Sequence, residues 1–366
     1  MKIAYITNTI SGAGGLERVL LLKAGYLAER LKYDVTIITT SYNREENLFY
    51  HVSPLIKRIS INPDKANKFV YFKSYAKLLN ESIEAVNPDV VIICDNGLKS
   101  FLLPFILKRK RVLVYERHIT KFIKGKAAAP NVLKRVLDKL NYSFMNYSAA
   151  RFTKFVVVTQ HGKNEWDLDN ITVIPNPLWF KTENVSNLKN KKVIAVGRHS
   201  YEKGYDQMFT IWKKVLERYP DWSLDIYGDY NPDYNIKQMA IDCGLISGIN
   251  FLPPTTDILE VYRNTSLYIM TSRFEGFGMV LLEAMGCGVP CIAYDCPVGP
   301  AEIISNGLNG FLIEDGNTDA FLNSVISLIE NNDLRFKMGA KAAKSSETYN
   351  IDAIMQQWDT FFKSLL

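Results

Sequence analysis

The feature that most constrains this chain is an alternation of short apolar segments with longer amphipathic ones, which runs through it twice. Val90 to Cys94 is a continuous apolar run, as expected of a strand buried on both faces of a parallel sheet. Strands that alternate with helices over this length predict a parallel sheet with helices on both faces and right-handed crossovers. The pattern therefore predicts an α/β protein made of doubly wound parallel sheets.

The alternation also predicts where the elements lie. In the first half, the predicted strands are 2–8, 34–39, 89–94, 111–115, 155–159 and 172–174, and the predicted helices are 15–31, 69–86, 98–107 and 130–149. In the second half, strands are predicted at 192–197, 223–227, 249–252, 267–271 and 290–294, and helices at 205–219, 232–243, 256–263, 278–287, 317–330 and 333–345.

The size of the chain and one polar segment predict two domains. A length of 366 residues suggests two domains of ordinary size, and the apolar-poor residues 181–191 are predicted to link them. We expect an N-terminal domain at 1–180, completed by 348–366, and a C-terminal domain at 190–347. The last helix, 350–366, carries Ile354, Trp358, Phe361 and Phe362 at helical spacing, and we expect this stripe to pack between the domains.

The composition points to a cytoplasmic globular protein. Hydrophobic residues make up 47% of the chain and charged residues 22%, which is enough for a packed core. No run of about 18 apolar residues is present, and the N-terminus has the pattern of a first strand rather than of a signal peptide. The five cysteines form no CxxC pair and no zinc-ligand spacing, which fits a reducing compartment.

The net charge of +6 is distributed unevenly. Residues 192–345 carry 13 Lys/Arg against 19 Asp/Glu, or −6, and the remainder carries 31 against 19, or +12. The excess is densest in the basic region 99–139. This region contains twelve basic residues, many apolar residues and only two acidic ones, Glu116 and Asp138. This region predicts contact with an anionic membrane surface or a lipid-phosphate substrate. The alternative is a solvated lysine-rich face, and no nucleic-acid-binding motif accompanies the charge.

The stretch 274–290, FEGFGMVLLEAMGCGVP, predicts a glycine-bearing turn followed by a helix. Free N–H groups at a helix start attract anions, and glycines let a ligand approach closely. Glu275 would lie on the turn and Glu283 inside the helix, so the two acids could bind hydroxyl groups while the N–H groups bind phosphate. The alternatives are a buried helix with two incidental acids, or a hydrolytic acid pair.

Three other strand ends carry candidate ligand-binding residues. Arg198 and Lys203 follow the strand 192–197 and together suit a diphosphate, although surface ion pairs with nearby acids are the alternative. Gly14 and Gly15 belong to a glycine-rich turn between the first strand and helix, where phosphate or substrate contact competes with a simple packing turn. His118 follows the strand 111–115 and could reach a sugar or phosphate, or could be an ordinary loop residue.

Several enzyme classes are disfavoured because their motifs are missing from the sequence. There is no G-x-S-x-G, no Walker A and no HExxH motif. The turn after the first strand lacks the full dinucleotide spacing, which argues against a nicotinamide dehydrogenase. Because no clustered Asp/His ligand set is present, we expect no obligatory protein-held metal.

The order of several motifs resembles a known family. GGLER near the start, IPNP at 174–177, GRxxxxKG at 197–204, FEGFGMVxxEAMxxGxP at 274–290 and DCPxGPxEII at 295–304 occur in the order found in retaining glycosyltransferases of family 4. The resemblance covers the whole chain and is more specific in the C-terminal half. It implies the GT-B fold, in which two Rossmann-like domains face a cleft and the C-terminal helix packs back on the N-terminal domain.

The resemblance also implies roles for the residues of the second half. Arg198 and Lys203 correspond to the cations that hold the donor diphosphate, and Glu275 to the acid that bonds a hydroxyl of the donor sugar. Glu283 corresponds to the acid that binds the nucleotide ribose. The donor-binding turn between the two acids corresponds to Gly276, Phe277, Gly278, Met279 and Val280.

In the first half, the resemblance assigns Gly14 and Gly15 to phosphate or acceptor contact and His118 to the donor sugar. Glu116 or Arg117 could take part of the His118 role, because ERHI is not a strict motif. The predicted catalytic residues are therefore Glu275, His118, Arg198 and Lys203. No metal or cofactor is expected beyond the nucleotide-sugar co-substrate.

The function implied is the retaining transfer of a sugar from a nucleotide sugar, UDP-linked in many members, to a glycan or lipid-linked acceptor. We expect this in the assembly of capsule, lipopolysaccharide or another surface glycan, at the inner face of the cell membrane. Two alternatives stay open. A nucleotide-sugar epimerase of the same fold would convert the donor without an acceptor, and a non-catalytic subunit would bind the nucleotide sugar without converting it.

Overall fold

The computed structural model describes residues 1–40, 48–108, 111–122, 132–183 and 185–366, with 132–134 described by their backbone alone. This part of the chain forms two compact units. The first contains the described residues of 1–121, 132–175 and 352–366, and the second contains residue 122 and the described residues of 176–351. Each unit is built around one parallel sheet.

The first unit has a seven-stranded sheet in the order β3-β2-β1-β4-β5-β6-β7. Its strands are β1 (Lys2–Thr7), β2 (Asp34–Thr39), β3 (Lys57–Ser60), β4 (Val90–Ile93), β5 (Val112–Arg117), β6 (Lys154–Val157) and β7 (Ile171–Val173). Its helices are α1 (Gly15–Glu29), α2 (Lys68–Val86), α3 (Leu103–Ile106), α4 (Val132–Ala149) and α5 (Gln160–Lys163), with a 3-10 turn at Leu98–Leu102.

Local sequence explains the bounds of these elements. Asn67 caps α2 by accepting a hydrogen bond from the Val70 N–H at 2.9 Å. The helix ends at Val86, and the next residue, Asn87, has a φ of 46° and is followed by Pro88. All four residues of β4 are buried, as the apolar run predicts for a central parallel strand. Because every pairing is parallel, the carboxyl ends of the strands share one edge of the sheet.

The second unit has a six-stranded sheet in the order β10-β9-β8-β11-β12-β13. Its strands are β8 (Lys192–Val196), β9 (Ser223–Tyr227), β10 (Ile249–Leu252), β11 (Leu267–Met270), β12 (Cys291–Asp295) and β13 (Gly310–Glu314). Its helices are α6 (Tyr205–Arg218), α7 (Ile236–Asp242), α8 (Ile258–Arg263), α9 (Met279–Gly286), α10 (Pro300–Ile303), α11 (Thr318–Glu330) and α12 (Asn332–Ser346), with 3-10 turns at Tyr201–Lys203 and Glu347–Tyr349.

The last helix, α13 (Ile351–Lys363), packs on the first unit. The Tyr26 hydroxyl donates to Asp352 at 2.8 Å and the Tyr33 hydroxyl to Asp359 at 2.5 Å, and the Lys23 ammonium lies 4.2 Å from the centre of a Trp358 ring. The return of the C-terminal helix to the N-terminal domain is therefore confirmed. The apolar stripe of this helix is buried, at Ile354, Trp358, Phe361 and Phe362, and its position between the domains stays a prediction.

Other expectations need adjustment. Strands β3 and β13 were not predicted, and the predicted helix 98–107 is a 3-10 turn followed by the four-residue α3. Residues 130 and 131, predicted as the start of the fourth helix, lie outside the described residues. Part of the predicted linker packs on the second unit, because the Ser186 hydroxyl donates to the Thr265 carbonyl at 2.6 Å and Leu188 is buried.

The described helices include none long and apolar enough to cross a membrane. All five cysteines are free thiols, and Cys94, Cys287, Cys291 and Cys296 are buried. Burial raises the pKa of the Cys94 and Cys291 thiols, so these side chains behave as small core residues.

Candidate functional site

Lys203 and Glu275, 72 positions apart in the sequence, meet at the carboxyl edge of the second sheet. Lys203 ends the 3-10 turn after β8, and Glu275 lies in the loop after β11, the strand next to β8. The Lys203 Nζ atom is 2.7 Å from Glu275 Oε1, which also accepts a hydrogen bond from the Ser272 hydroxyl at 2.7 Å. Both side chains keep some solvent contact, at 19% and 12% exposure. A cation and an acid are therefore held together where ligands bind in open α/β sheets.

Arg198, the other predicted diphosphate ligand, lies in solvent. Its side chain is 71% exposed, and its Nη2 atom is 3.5 Å from Glu202 Oε1. This contact is the surface ion pair that the sequence left open as an alternative. Because an exposed pair of this kind is worth little energy, the guanidinium can exchange Glu202 for another anion at small cost.

Arg273 joins the loop after β11 to the turn that carries Lys203, a role that no sequence motif indicated. Its Nη1 atom donates to the Tyr201 carbonyl at 2.8 Å and its Nη2 atom to Asp206 Oδ2 at 2.6 Å. The guanidinium also lies 4.2 Å from the centre of the Tyr201 ring. Burial alone would lower the pKa of Arg273, but the hydrogen bond and charge of Asp206 raise it. Arg273 thus fixes the turn from which Lys203 extends.

The turn between the two acids has the predicted form. Gly278 has a φ of 90° and directly precedes α9, which begins at Met279. A positive φ of this size strains any residue that carries a Cβ. The N–H groups of Met279 and Val280 belong to the first turn of the helix, where no intrahelical acceptor exists. Gly276 and Phe277 are buried, so ligand contact with them would use the backbone.

Glu283 is almost fully buried, and side chains from other parts of the second unit donate hydrogen bonds to it. Its Oε1 atom accepts a hydrogen bond from Trp179 Nε1 at 3.1 Å, and its Oε2 atom accepts one from the Tyr262 hydroxyl at 3.3 Å. These partners come from the segment before the second unit's sheet and from α8, so spacing along the chain could not reveal them. A carboxylate held in this way suits fixed hydrogen bonding better than activation of water.

At the glycine-rich turn of the first unit, the Glu17 side chain lies over Gly12 and Gly14. Its Oε1 atom is 3.0 Å from the position that a Cβ on Gly12 would take. Gly14 precedes α1 and has an ordinary extended conformation, with φ of −77° and ψ of 160°, and Gly15 begins the helix. A carboxylate next to this turn favours hydroxyl groups over phosphate as its ligands.

Glu116, Arg117 and His118 take different positions at the end of β5. Arg117 is buried and donates to the backbone carbonyls of Asn96 and Thr120 at 2.7 and 3.3 Å, so its guanidinium is used within the fold. The His118 Nε2 atom is 2.9 Å from Glu116 Oε1, which also pairs with Lys23. The other ring nitrogen of His118, Nδ1, takes no part in these contacts.

The charges around Glu116 set its ionisation. Burial alone would raise its pKa, but the Lys23 ammonium and the His118 ring lower it to about 2. Within the described residues, Cys94, Glu116 and His118 offer potential metal-ligand atoms that lie within 4.8 Å of one another. Because the Lys23 ammonium already supplies a positive charge to Glu116, we interpret this group as a hydrogen-bonded cluster.

The basic region 99–139 is only partly a surface feature. Arg117 and Lys121 are buried, whereas Lys108, Arg135 and Lys139 are exposed. Exposed apolar side chains accompany them on and beside α4, namely Phe105, Val136, Leu137, Leu140 and Tyr147. Residues 109, 110 and 123–131 of this region lie outside the described part of the chain.

Two parallel-sheet Rossmann-like units, the second with a cation–acid pair and a glycine turn at the carboxyl edge of its sheet, are the architecture of GT-B glycosyltransferases. Two family models match the chain, "Glycosyltransferase Family 4" at residues 13–178 and "Glycosyl transferases group 1" at residues 180–345. The chain belongs to glycosyltransferase family 4, as its motifs indicated.

Similar proteins cover the chain from end to end. An uncharacterized glycosyltransferase of Haemophilus influenzae is 29% identical over 98% of both chains, and the amylovoran biosynthesis glycosyltransferase AmsD of Erwinia amylovora is 30% identical over 98% of both. Among solved structures, HepE of Anabaena in complex with UDP-glucose aligns over 100% of both chains with a TM-score of 0.78 at 21% identity. This last likeness establishes the fold.

Proposed function

We propose that this enzyme is a retaining glycosyltransferase that moves a sugar from a UDP-sugar to a hydroxyl of a glycan or lipid-linked acceptor. The observation that carries the proposal is the contact between Lys203 and Glu275 at the carboxyl ends of β8 and β11. The UDP-glucose bound to HepE supports a UDP-linked donor, and the role of AmsD in amylovoran synthesis supports an acceptor in surface-glycan assembly.

In this proposal, Lys203 and Arg198 bind the donor diphosphate. Lys203 would exchange Glu275 for a phosphate oxygen, and the exposed Arg198 would leave Glu202 to do the same. The N–H groups of Met279 and Val280 would add the positive end of the α9 dipole. These groups can neutralise the leaving diphosphate, so the proposed reaction needs no metal ion.

Glu275, once released by Lys203, keeps its hydrogen bond from Ser272 and can accept one from a hydroxyl of the donor sugar. The buried turn at Gly276, Phe277 and Gly278 would contact the sugar through its backbone. Glu283 would bind the ribose from the position in which Trp179 and Tyr262 orient its carboxylate.

The first unit would contribute hydroxyl contacts. Gly14 and Gly15 would bind hydroxyl groups of the donor or acceptor, in keeping with the nearby Glu17 carboxylate. His118 would accept a hydrogen bond from a hydroxyl of the transferred sugar.

The reaction breaks the bond between the anomeric carbon and the diphosphate oxygen, and forms a bond from the same carbon to the acceptor oxygen. In the retaining form, the new bond lies on the face from which the diphosphate departs, and the diphosphate takes the proton of the acceptor hydroxyl. Stabilising the negative charge on the leaving group is the largest catalytic effect we expect. Neither acid then has to act as a general base.

We further propose that the enzyme works at the cytoplasmic face of a membrane, bound there through the basic region 99–139. The exposed Lys108, Arg135 and Lys139 would meet anionic headgroups, and the exposed Leu137 and Leu140 would enter the interface. Such an orientation would give access to a lipid-linked acceptor.

The proposal is tested by a panel of nucleotide sugars, scored first by thermal stabilisation. The stabilising donor is then incubated with and without candidate acceptors, with and without EDTA, and the product anomer is assigned by NMR. We expect one UDP-sugar to stabilise the protein and to yield a product with retained configuration in EDTA. Conversion of the donor to an epimer without acceptor would identify an epimerase instead, and an absence of stabilisation by every donor would contradict nucleotide-sugar binding.

A further inference from the structure

A buried network of charged side chains in the first unit connects the C-terminal helix α13 with His118. Lys23 on α1 and Glu116 on β5 form an ion pair in which each side chain is 1% exposed. The Lys23 ammonium is covered by the Trp358 ring of α13, whose centre is 4.2 Å away. Lysine and glutamate are almost never fully buried unless they are paired, so both depend on this arrangement.

The third charged or polar side chain of this network is His118. A single oxygen of Glu116, Oε1, serves both Lys23 and the His118 Nε2 atom, which is 2.9 Å away. The other oxygen, Oε2, is buried and has no hydrogen-bond partner among the described residues. The His118 backbone is held too, because its N–H donates to Asn96 Oδ1 at 3.2 Å.

This geometry determines which nitrogen of the ring carries a proton. The depressed pKa of Glu116 keeps its carboxylate ionised at neutral pH, and an ionised carboxylate can only accept hydrogen bonds. The Nε2 atom must therefore be protonated, which leaves Nδ1 of the neutral ring as an acceptor. The hydroxyl contact that the proposed function assigns to His118 requires an acceptor of this kind.

Stability alone does not account for the arrangement. A buried ion pair is often no more stabilising than apolar residues of the same size, and an isolated pair of Lys23 and Glu116 would not need a histidine as third partner. His118 follows the carboxyl end of β5, at the edge of the sheet where ligands bind.

We propose that Glu116 is a positioning residue that fixes the tautomer and orientation of His118, and that Lys23 under Trp358 is the counter-charge that allows the carboxylate to be buried. The sugar hydroxyl as the ligand of His118 rests on the proposed function. The arrangement of Lys23, Glu116 and His118 does not depend on it. It also gives the C-terminal helix a part in the site, because Trp358 covers the lysine.

The tautomer can be measured without any substrate. Protein labelled with ¹⁵N in its histidine rings contains four imidazoles, and His118→Gln assigns one of them. We expect His118 to show an Nε2-bound proton protected from exchange, which is retained in Lys23→Met/Glu116→Gln and lost in Lys23→Met/Glu116→Leu. A folded wild-type protein without the protected proton, or its persistence in the leucine variant, would overturn the proposal.

The kinetic test compares the same two double variants, which have the same net charge and similar size and differ in whether residue 116 can accept a hydrogen bond. With the UDP-sugar found in the donor screen, we expect the glutamine variant to keep kcat within about threefold of wild type. The leucine variant should lose at least tenfold in kcat, as we also expect for His118→Ala, with the Kd for UDP unchanged in both double variants. Equal kcat values for the two variants would refute the positioning role.

The control is Lys57→Met/Asp34→Asn, which removes an exposed ion pair of the same unit that no histidine joins, and kcat should not change. If no donor is turned over by wild type, the proposed function fails while the NMR comparison still decides the geometry. If the donor is turned over but both double variants match wild type, the positioning role fails alone.

Discussion

Lys203 has two competing anionic partners in the proposed reaction. Glu275 holds its ammonium at 2.7 Å, and the donor diphosphate carries more negative charge than one carboxylate. The exchange of one partner for the other would release Glu275 at the moment the donor arrives. Lys203 is therefore expected to contribute to the transition state, where the diphosphate charge is largest, more than to the fold.

Replacing Lys203 by Ala should lower kcat by about 10²–10³-fold, the usual loss when one stabilising donor is removed from a developing anion. The fold should be kept, because Glu275 retains its hydrogen bond from Ser272. Steady-state kinetics with the donor from the screen, beside a melting curve, measures both effects. Lys213→Ala, which removes an exposed lysine of α6, is the matched control. Near-normal turnover of Lys203→Ala would remove this residue from the site.

The buried pair of the first unit makes a separate stability prediction. Lys23→Met alone leaves the Glu116 carboxylate without its counter-charge and should cost about 3–5 kcal/mol of unfolding free energy. Lys23→Met/Glu116→Gln removes both charges and should be close to wild type, within about 1 kcal/mol. Urea denaturation followed by circular dichroism compares them. A double variant as unstable as the single one would show that charge compensation is not the reason for the pairing.

The same pair predicts a dependence of stability on pH. The pKa of Glu116 is lowered from 4.5 to about 2 in the folded protein, so the unfolded chain binds more protons between these values. The stabilisation is complete above about pH 4.5 and is lost as the pH falls towards 2, at about 1.4 kcal/mol per pH unit. Urea denaturation at pH 5, 4 and 3 should show a shallower decline for Lys23→Met/Glu116→Gln than for wild type. Parallel declines would contradict the shifted pKa.

Motif spacing predicted which residues follow the strands, but not which side chains hold them. Lys203 and Glu275 could be placed together because both follow strands of one parallel sheet, and such strands end at one edge. The contacts of Arg273 with Asp206 and of Trp179 with Glu283 depend on how loops and helices pack in three dimensions. No periodicity encodes such contacts, so the predicted site lacked these supporting residues.

At the scale of elements, one glycine joins the two loops of the candidate site. Gly204 ends the turn that carries Lys203, begins the approach to α6 and has a φ of 64°. A Cβ at this position would overlap the carbonyl oxygen of Thr271, the residue after β11. The Thr271 hydroxyl also donates to the Gly204 carbonyl at 2.9 Å. The close approach of these two backbones requires a residue without a side chain.

Gly204→Ala should therefore cost more than about 3 kcal/mol, because backbone strain is added to a backbone clash that no side-chain rotation relieves. Gly307→Ala is the matched control, since Gly307 has a φ of 76° and open space around it. Its expected cost is about 1–2 kcal/mol, the strain alone. Thermal unfolding of the two variants measures the difference. Equal losses would mean that the loops can separate without cost.

The pattern of strands and helices predicted most of both sheets, and its failures have physical reasons. Strand β3 (Lys57–Ser60) contains the exposed residues Lys57 and Arg58, so an edge strand of this kind has no buried apolar run to reveal it. Strand β13 follows a turn at Gly307 and is an edge strand of the second unit's sheet, where it pairs with β12. Most of its residues are only partly buried, so it too lacks a buried apolar run. The predicted helix 98–107 contains Pro104, which is compatible with the start of α3 but not with the middle of one long helix.

At the scale of the whole molecule, charge is divided between the two halves of the sequence. Residues 192–345 carry −6 and the remainder +12, so a negative surface should attract the first unit more strongly than the second. The exposed face of α4 combines Arg135 and Lys139 with Val136, Leu137 and Leu140. Basic and apolar side chains on one helix are the combination that binds the surface of anionic membranes.

Membrane binding should consequently depend on lipid charge and on salt. Wild-type protein is expected to sediment with vesicles containing about 30% phosphatidylserine at low salt and to be released as salt shortens the Debye length. Each Lys or Arg near the surface contributes about 1 kcal/mol, so changing the four basic residues 108–111 to Gln should weaken binding by roughly 10³-fold. Of these, Lys108 is exposed, and 109 and 110 lie outside the described residues.

The matched control changes four exposed lysines of the second unit to Gln, namely Lys213, Lys237, Lys337 and Lys341. Both variants lose the same charge, so a general effect of net charge would weaken them equally, whereas local binding through the basic region weakens only the first. Sedimentation with neutral vesicles of phosphatidylcholine separates the apolar contribution of α4 from the electrostatic one. Equal binding of wild type to neutral and anionic vesicles, or equal losses in the two variants, would remove the basic region as the membrane contact.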